Sequence, residues 1–220
     1  MSITTTEHKY WEDRAETFDE DSSYIVGCEL NNAIKAWLRD QFVPTDEVLE
    51  LGCGTGTFSE AVAPIVKGLI ATDMSEPMLY QARAKRGAHG NVRFQQQDAY
   101  ATTFDDSTFD AVLMVNLLHI VNDPGLIVEE ASRVVKDGGR IVVADVTSQG
   151  TPLLAGMRLG LRYLRRWGRP PASNRNIGLD ELAGLTQGAG LVAKDRTLIG
   201  ATVKAACVVG VKQSRREGDG

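Results

Sequence analysis

A glycine-rich turn near residue 50 follows an apolar run and gives the clearest indication of a ligand site. The segment reads Val-Leu-Glu-Leu-Gly-Cys-Gly-Thr-Gly over residues 48–56, with glycines at Gly52, Gly54 and Gly56. Glycine lets a backbone turn sharply and approach a ligand with no Cβ in the way. A dinucleotide fingerprint has its third glycine one residue later, where it seats a pyrophosphate on a helix N-terminus. The spacing therefore disfavours a pyrophosphate.

Three polar side chains follow later apolar runs and extend this pattern. Asp73 ends the run at 69–72, 21 residues beyond Gly52, where a carboxylate can accept both hydroxyls of a ribose. Asp98 follows the next run and could meet the exocyclic amine of an adenine, and Asn116 closes a further run. Ligands collect at the carboxyl ends of strands in open α/β sheets. These residues therefore predict a bound nucleoside.

His119 is the side chain best suited to proton transfer. It follows Asn116 by three residues and could take a proton from a hydroxyl or thiol, or it could line a pocket passively. Asp145 ends another apolar run, where substrate contact and hydrogen bonding within the fold would both suit it. Cys53, between two glycines, is interpreted as a packing residue rather than a nucleophile.

The elements that must position these residues alternate regularly from residue 47 onward. Short apolar runs predict strands near 47–51, 68–72, 92–95, 109–115 and 140–145, and helical spacing predicts helices near 57–66, 76–86, 124–136 and 179–188. Such alternation is typical of parallel strands joined by crossover helices. Two β-rich segments at 197–202 and 205–211 predict a closing antiparallel hairpin. Before the sheet we expect one helix over 7–21 and another over 31–42.

Taken in order, these motifs resemble those of class I S-adenosylmethionine-dependent methyltransferases, over about residues 45–146. The matching segments are Glu50 to Gly56, Asp73-Met74-Ser75, Asp98-Ala99 and Asn116 to His119. Within that family the chain is most similar to the type 11 group, which includes the ubiquinone and menaquinone methyltransferases. The resemblance implies a Rossmann-like α/β fold, with a seven-stranded, mostly parallel sheet in the order 3-2-1-4-5-7-6 and helices on both faces.

The resemblance also implies S-adenosyl-L-methionine as the cofactor. From its position and chemistry we name His119 as the catalytic candidate, and we expect no metal. The implied cofactor-binding residues are Tyr10, Arg14, Glu50, Gly52, Cys53, Gly54, Gly56, Asp73, Met74, Asp98, Ala99 and Asn116. The glycine loop would line the methionine portion, and the acid before it would support the loop and the ammonium group. Asp73 would hold the ribose, while Met74 and Asp98 would contact the adenine. Arg14, with Tyr10, would cover the cofactor and be available for its carboxylate.

The insertion over residues 147–178 is the most distinctive part of the chain, because it holds six arginines and no acid. At helical spacing, one side of this segment is apolar and carries Leu153, Leu154, Met157, Leu161, Leu164 and Trp167. Another side is basic and carries Arg158, Arg162, Arg165, Arg166 and Arg169. The apolar side could close as a lid over a hydrophobic acceptor. Alternatively, the helix over 152–169 could lie on a membrane surface with its arginines against anionic head groups. A packed helix with a solvated arginine face is the third interpretation.

Composition excludes several classes of protein. A net charge of −5 argues against a general nucleic-acid binder, because phosphate neutralisation needs surplus Lys and Arg. The three cysteines are far apart, so we expect neither a disulfide framework nor a metal site. Unpaired cysteines indicate a reducing, cytoplasmic location. The N-terminal segment lacks the apolar run of a signal peptide, and no run is long enough to span a membrane.

The sequence thus predicts a cytoplasmic methyltransferase that transfers a methyl group from S-adenosylmethionine to a small apolar acceptor, at oxygen, sulfur or quinone-type carbon. The alternative is a non-catalytic S-adenosylmethionine-binding protein that docks on a membrane or a partner through the basic helix. We expect a helical cap over 1–45, a methyltransferase core over 46–212 with the 147–178 insertion as a lid, and a disordered tail over 213–220. A monomer or weak homodimer would suit these features.

Overall fold

The computed structural model describes residues 5–214, and side chains from residue 9 onward. Three helices precede the sheet: α1 (Thr5–Glu12), α2 (Phe18–Val26) and α3 (Cys28–Arg39). The expectation of a single helix over 7–21 is wrong, because the chain turns between residues 13 and 17. Residues 1–4 of the predicted cap, and all but two residues of the predicted tail, lie outside the described residues.

One seven-stranded sheet forms the centre of the molecule. Its strands are β1 (Glu47–Leu51), β2 (Gly68–Asp73), β3 (Val92–Gln96), β4 (Phe109–Val115), β5 (Val135–Thr147), β6 (Leu191–Ile199) and β7 (Lys204–Lys212). They lie in the order β3-β2-β1-β4-β5-β7-β6, as predicted. Strands β1 to β5 run parallel, whereas β7 is antiparallel to both β5 and β6. The predicted hairpin is confirmed, although its first strand begins six residues earlier, at Leu191.

Helices cover both faces of the sheet. They are α4 (Ser59–Val62), α5 (Glu76–Arg86), α6 (Pro124–Val134), α7 (Leu153–Trp167) and α8 (Leu179–Gly188), with a single 3-10 turn at Leu118–Ile120. Helix α5 begins where its sequence predicts, because the Ser75 side chain accepts a hydrogen bond from the Met78 backbone N–H. Helix α4 has only four residues, far fewer than the predicted 57–66 segment.

Strand β4 shows why a continuous apolar run suits this fold. Its alternate side chains point to opposite faces, so Leu113 and Val115 join one core cluster while Val112 and Met114 join the other. All four are fully or nearly fully buried. A strand covered on both faces needs no polar alternation. The position of the strand ends, where the candidate site residues lie, is therefore set by a well-packed core.

The insertion forms α7, which confirms the predicted basic helix. It has 15 residues and is followed by an irregular segment that leads to α8. Between residues 5 and 214 no helix is both long enough and apolar enough to cross a membrane. Helix α7 packs against α2, so the N-terminal helices and the insertion are in contact.

Candidate active site

A cavity of about 750 Å³ opens at the carboxyl ends of the parallel strands, between the sheet and helices α2 and α7. This volume is in the range of small-molecule sites. The predicted site residues that line it are Gly52, Cys53, Gly54, Asp73, Met74, Asp98, Ala99, Asn116 and His119. The tertiary structure thus brings together residues that are spread over more than sixty positions of the sequence. Four predicted residues, Tyr10, Arg14, Glu50 and Gly56, do not line the cavity.

The glycine loop needs glycine at all three positions. Gly52, Gly54 and Gly56 have φ angles of 70°, 54° and 83°, in the left-handed region that other residues adopt only with strain. A Cβ on Gly54 would have only the Phe18 ring within 4 Å, at 3.8 Å, so this position borders the open cavity. A Cβ on Gly56 would lie 3.2 Å from the Arg86 side chain, which makes Gly56 a close-packing position instead.

Asp73 organises the loop that it faces. Its Oδ2 accepts a hydrogen bond from the Gly54 N–H at 2.8 Å, and its Oδ1 accepts one from the Ser75 N–H at 2.9 Å. A carboxylate has about four lone-pair sites, so these two bonds are compatible with further donors from a ribose. Asp98, also on the cavity wall, accepts from the Tyr100 N–H at 2.9 Å. Both carboxylates are therefore held in place by backbone donors.

Glu50 supports the loop from behind. Its side chain is almost fully buried and accepts a hydrogen bond from the Ser59 hydroxyl at 2.5 Å, which links β1 to the start of α4. Burial, together with the negative charge of Asp73, raises the pKa of the Glu50 carboxyl to about 7, although the Ser59 hydrogen bond acts in the opposite direction. Contact of Glu50 with an ammonium group stays a prediction.

Cys53 and Asn116 complete the loop side of the cavity. Burial, with the nearby carboxylates of Glu50 and Asp73, raises the pKa of the Cys53 thiol well above its ordinary value, so it stays protonated. This agrees with its interpretation as a packing residue. Asn116 has a φ of 54°, and its Oδ1 accepts a hydrogen bond from the Val146 N–H at 3.0 Å. That bond joins the ends of β4 and β5 beneath the cavity.

His119 and Asp145 form a hydrogen-bonded pair. The Nδ1 atom of His119 lies 2.6 Å from Oδ1 of Asp145, which has no solvent exposure. The second oxygen of Asp145 accepts from the Leu118 N–H at 3.3 Å, so the carboxylate is fixed in orientation. A carboxylate on Nδ1 favours the tautomer that carries its proton there, which makes Nε2 a proton acceptor. Asp145 therefore has the hydrogen-bonding role, and the ring that it orients lines the cavity.

Tyr10 and Arg14 hold the end of α7 instead of projecting into the cavity. The Tyr10 hydroxyl donates to the Trp167 carbonyl at 3.1 Å and lies 3.0 Å from the Tyr163 hydroxyl. Arg14 donates to the same carbonyl at 2.7 Å and stacks over the Tyr10 ring, 3.6 Å from its centroid. This arrangement does not support the predicted contact of these two side chains with the cofactor.

An aromatic cluster that the sequence did not reveal forms the opposite wall. The Trp167 ring stacks on Phe18 at 5.5 Å, and the edge-on rings of Trp11 and Tyr163 lie 5.6 and 5.1 Å from it. The turn at 13–17 allows Trp11 and Phe18 to reach the same ring, which explains why the predicted single helix is broken. Trp167 was recognisable on the apolar side of its helix, and Tyr163 lies one turn before it, but Trp11 and Phe18 lie about 150 positions away and carry no local signal.

Asp19 was also missed, because it is one of seven acids within the predicted 7–21 helix and nothing in the local sequence distinguishes it from the others. Its carboxylate accepts hydrogen bonds from Thr55, from Thr57 at 3.2 Å, and from Lys85 and Arg86 at 3.1 Å each. Burial alone would raise the pKa of Asp19, but the Thr55 hydroxyl and the charge of Arg86 bring it below the ordinary value. Asp19 thus joins α2 to the glycine loop and to α5.

Helix α7 borders the cavity with only part of the apolar side predicted from its sequence. The side that lines the cavity consists mainly of small and aromatic residues, namely Gly156, Leu159, Gly160, Tyr163, Leu164 and Trp167. Leu153, Leu154, Met157 and Leu161 do not line it. Of the predicted apolar side, Leu164 and Trp167 line the cavity and the other four residues do not, so closure of the helix as a lid stays a prediction. Trp167, fixed in the aromatic cluster, sets the rotation of the helix about its axis.

Comparisons with known proteins agree with this geometry. Residues 49–143 match the family model described as "Methyltransferase domain" (Methyltransf_11). The chain is 38% identical over 112 residues to a demethylmenaquinone methyltransferase of Clavibacter sepedonicus, covering 51% of this chain and 46% of that one. It is 27% identical over 206 residues to the O-methyltransferase cnsE of Penicillium expansum, covering 90% and 69%. The solved structure of DhpI with SAH superposes with a TM-score of 0.72 at 22% identity, covering 95% and 96%.

The match of residues 49–143 to the methyltransferase-domain model confirms the resemblance found in the sequence, and the strand order confirms the Rossmann-like fold. S-adenosylmethionine is confirmed as the cofactor of that domain family. The match to the demethylmenaquinone methyltransferase spans about half of that relative's length. The activity and the substrate of this chain are therefore inferred from the geometry of its own site.

Proposed function

We propose that this chain is an S-adenosylmethionine-dependent methyltransferase that acts on a small apolar acceptor. The observation that carries the proposal is the arrangement of one cavity, in which the glycine loop and Asp73 lie at one end of the same space that His119 lines. The rest of the lining supports an apolar acceptor, since it includes Val115, Leu117 and Ile120.

The residues present fit the cofactor. The open space beside Gly54 allows the methionine portion to approach the backbone, as a Cβ at that position would enter the cavity. Asp73 has the geometry to accept ribose hydroxyls, while Met74 and Asp98 border the region that an adenine would occupy. When bound, the cofactor supplies an electrophilic methyl group on a positively charged sulfur.

The chain itself contributes alignment and exclusion of water. Positive charge on sulfur is lost as the methyl group moves, so the reaction depends mainly on proximity and on a dry, shaped space. The aromatic wall of Phe18 and Trp167 faces the strand ends across the cavity and limits the access of water. Asp19 holds that wall to the glycine loop.

His119 favours an acceptor whose reacting atom carries an acidic proton. Its Nε2 would take the proton from a phenolic hydroxyl or a thiol, and the buried carboxylate of Asp145 would stabilise the resulting imidazolium. A quinone-type carbon acceptor, which requires ring deprotonation, could use the same base. We place the oxygen and sulfur acceptors first, because they present their proton directly to the base.

The finer features of the protein's setting are also proposals. A small-molecule acceptor rather than a nucleic acid agrees with the net charge of −5. A reducing cytoplasmic setting agrees with the free thiols of Cys28, Cys53 and Cys207. We expect a monomer or weak homodimer.

The first test is calorimetric titration with S-adenosylmethionine and S-adenosylhomocysteine, with NADH as a control ligand. We expect micromolar binding of both sulfur nucleosides, and a loss of at least about 100-fold in Asp73→Ala, since this change removes the acceptor that holds the loop. Asp105→Ala, at an exposed carboxylate outside the cavity lining, is the matched control. Binding of NADH alone would overturn the proposal.

The second test is methyl transfer to a panel of lipophilic phenols, thiols and quinols, followed by mass spectrometry. Replacing His119 by Ala should lower kcat by about 10²- to 10⁴-fold while leaving cofactor affinity unchanged. Asp145→Asn should lower kcat in the same direction, because the ring loses the acceptor that sets its tautomer. Full cofactor affinity with no turnover across the panel would favour the non-catalytic alternative.

A further inference from the structure

Helix α7 carries an apolar surface that no other part of the described chain covers. The outer apolar face, defined as Leu153, Leu154, Met157, Leu161 and Leu164, has side chains that are 54% to 80% exposed. These five are half of the ten exposed large hydrophobic residues between positions 9 and 214. Scattered single residues of this kind are normal, whereas five on one side of one helix mark an interaction surface.

An arginine row runs beside this face. At 100° per residue, Arg158, Arg162 and Arg165 lie next to the outer apolar face, on the side away from the cavity. Arg166 pairs with Asp21 at 2.9 Å, and its guanidinium lies 4.8 Å from the Tyr24 ring, which anchors the helix to α2. The guanidinium of Arg162 lies 5.6 Å from the same ring, and the side chains of Arg158, Arg162 and Arg165 are exposed. With no acid in 147–178, this surface is positively charged although the chain is negative overall.

The cavity lies on the third side of the same helix. Gly156, Gly160 and Tyr163 face it, and Leu164 belongs both to the cavity lining and to the outer apolar face. The outer face and the cavity are therefore contiguous at Leu164. An apolar molecule that leaves a hydrophobic phase at the outer face would reach the cavity without crossing a charged row.

We propose that the outer apolar face and the arginine row dock on an anionic lipid bilayer, with α7 parallel to the membrane surface. The leucine side chains enter the acyl boundary and the arginines contact lipid phosphates. An acceptor dissolved in the lipid then enters the cavity past Leu164. This entry step rests on the proposed function, whereas the docking on the bilayer is independent of it. A bilayer is favoured over a second copy of the chain, because anionic head groups complement the positive charge of the arginine row, whereas a second copy would present the same positively charged surface.

The test is co-sedimentation of the full chain with vesicles of phosphatidylcholine alone and with about one third phosphatidylglycerol, without cofactor or acceptor. We expect binding to the anionic vesicles only, and a partition coefficient that falls as salt is raised. Arg158→Gln with Arg165→Gln should weaken binding by about 30-fold, since each surface arginine contributes about fivefold. Leu154→Ser with Leu161→Ser should weaken it at least about tenfold.

The control variants remove exposed positive charges or an exposed apolar side chain at positions outside α7. Arg93→Gln with Lys194→Gln removes two exposed positive charges, one on β3 and one on β6, and Tyr80→Ser removes an exposed ring on α5. Both controls should bind vesicles as the unchanged chain does. Circular dichroism of each variant shows that the helix content is retained, which is expected because every substituted side chain is exposed.

Three results would overturn the proposal. These are sedimentation no greater than without vesicles, equal binding by the α7 variants and their controls, and a dimer that Leu154→Ser with Leu161→Ser dissociates without any change in vesicle binding. Since the assay contains no cofactor, its failure leaves calorimetric binding of S-adenosylmethionine intact. Conversely, loss of cofactor binding would leave the vesicle result unaffected, so the two proposals fail separately.

Discussion

One wall of the cavity is made of strand ends, and the other is made of helices α1, α2 and α7. On the strand wall, polar side chains such as Asp73, Asn116 and Asp145 are held by backbone N–H groups of neighbouring segments, above a fully buried core. On the helical wall, contacts join side chains that are far apart in sequence, and one side of α7 faces solvent.

This difference separates the two tasks of the site. Backbone-held groups above a packed sheet are rigid, which suits a cofactor that must be held in one orientation. A wall of helices fixed by a few rings and ion pairs can rearrange locally, because local unfolding costs least where buried contacts are few. We infer that the strand wall serves the cofactor and that the helical wall admits the acceptor.

The largest expected effect is on the helical wall. Trp167→Ala removes the ring on which Trp11, Phe18 and Tyr163 pack, and a loss of about 3 to 5 kcal/mol is typical of such a truncation. Hydrogen exchange should therefore accelerate in α1, α2 and α7 but stay slow in β1 and β4. Tyr80→Ala, at an exposed ring, should change neither. Equal acceleration in the strands would show that the two walls are one cooperative unit.

The next effect concerns the strand wall and depends on pH. Burial raises the pKa of Glu50 to about 7 from 4.5, so the folded state retains a proton that the unfolded chain has lost. Stability of the unchanged protein should fall as pH rises from about 4.5 to 7 and then level off. Glu50→Gln lacks this titration, so its stability relative to the unchanged chain should rise over that window, by at most about 3 kcal/mol.

Urea unfolding at pH 5 and pH 8 measures this change. Glu47→Gln, at a partly exposed carboxylate on the same strand, is the control and should not reproduce the relative gain. Parallel stability curves for Glu50→Gln and the unchanged chain would show that Glu50 is ionised normally in the folded state. In that case the strand wall would be less shielded from water than its burial indicates.

A smaller effect tests the cofactor end of the cavity. Gly54→Ala forces a residue with a Cβ into a φ of 54°, which costs about 1 to 2 kcal/mol and directs the methyl group into the cavity. Affinity for S-adenosylhomocysteine should fall by about tenfold or more in calorimetry. Gly27→Ala has a comparable φ of 90° but lies outside the cavity lining, so it should lose stability without losing affinity.

The smallest effect separates the stability of α7 from its role in the site. Gly160→Ala and Gly184→Ala each place a Cβ where no other atom lies within 4 Å, so each should stabilise its helix by about 0.5 to 1 kcal/mol. Only Gly160 lines the cavity. A change in acceptor KM confined to Gly160→Ala would support the helical wall as the acceptor side, whereas identical kinetics in both variants would contradict it.

The sheet and the strand-end residues were predictable because each depends on short-range patterns. Apolar runs of four to seven residues marked the parallel strands, although β5 extends over 13 residues, and glycine or carboxylate residues at the strand ends marked the loop and Asp73. The helical wall was not predictable to the same degree. The break between α1 and α2 follows from packing on Trp167, and the rotation of α7 follows from the same ring, neither of which local spacing encodes.

The sequence by itself determined the fold class and marked the glycine loop and the strand-end carboxylates, because hydrophobic periodicity and the conformational demands of glycine act over a few residues. The strand order was implied by the resemblance of the ordered motifs to a known family. Only the tertiary structure decided that Asp145 orients His119, that Asp19 joins α2 to the glycine loop, and that the leucines of α7 face outward. These contacts join segments 26 or more positions apart. Their geometry depends on how the helices and the sheet pack against one another, and no single segment of the sequence encodes that packing.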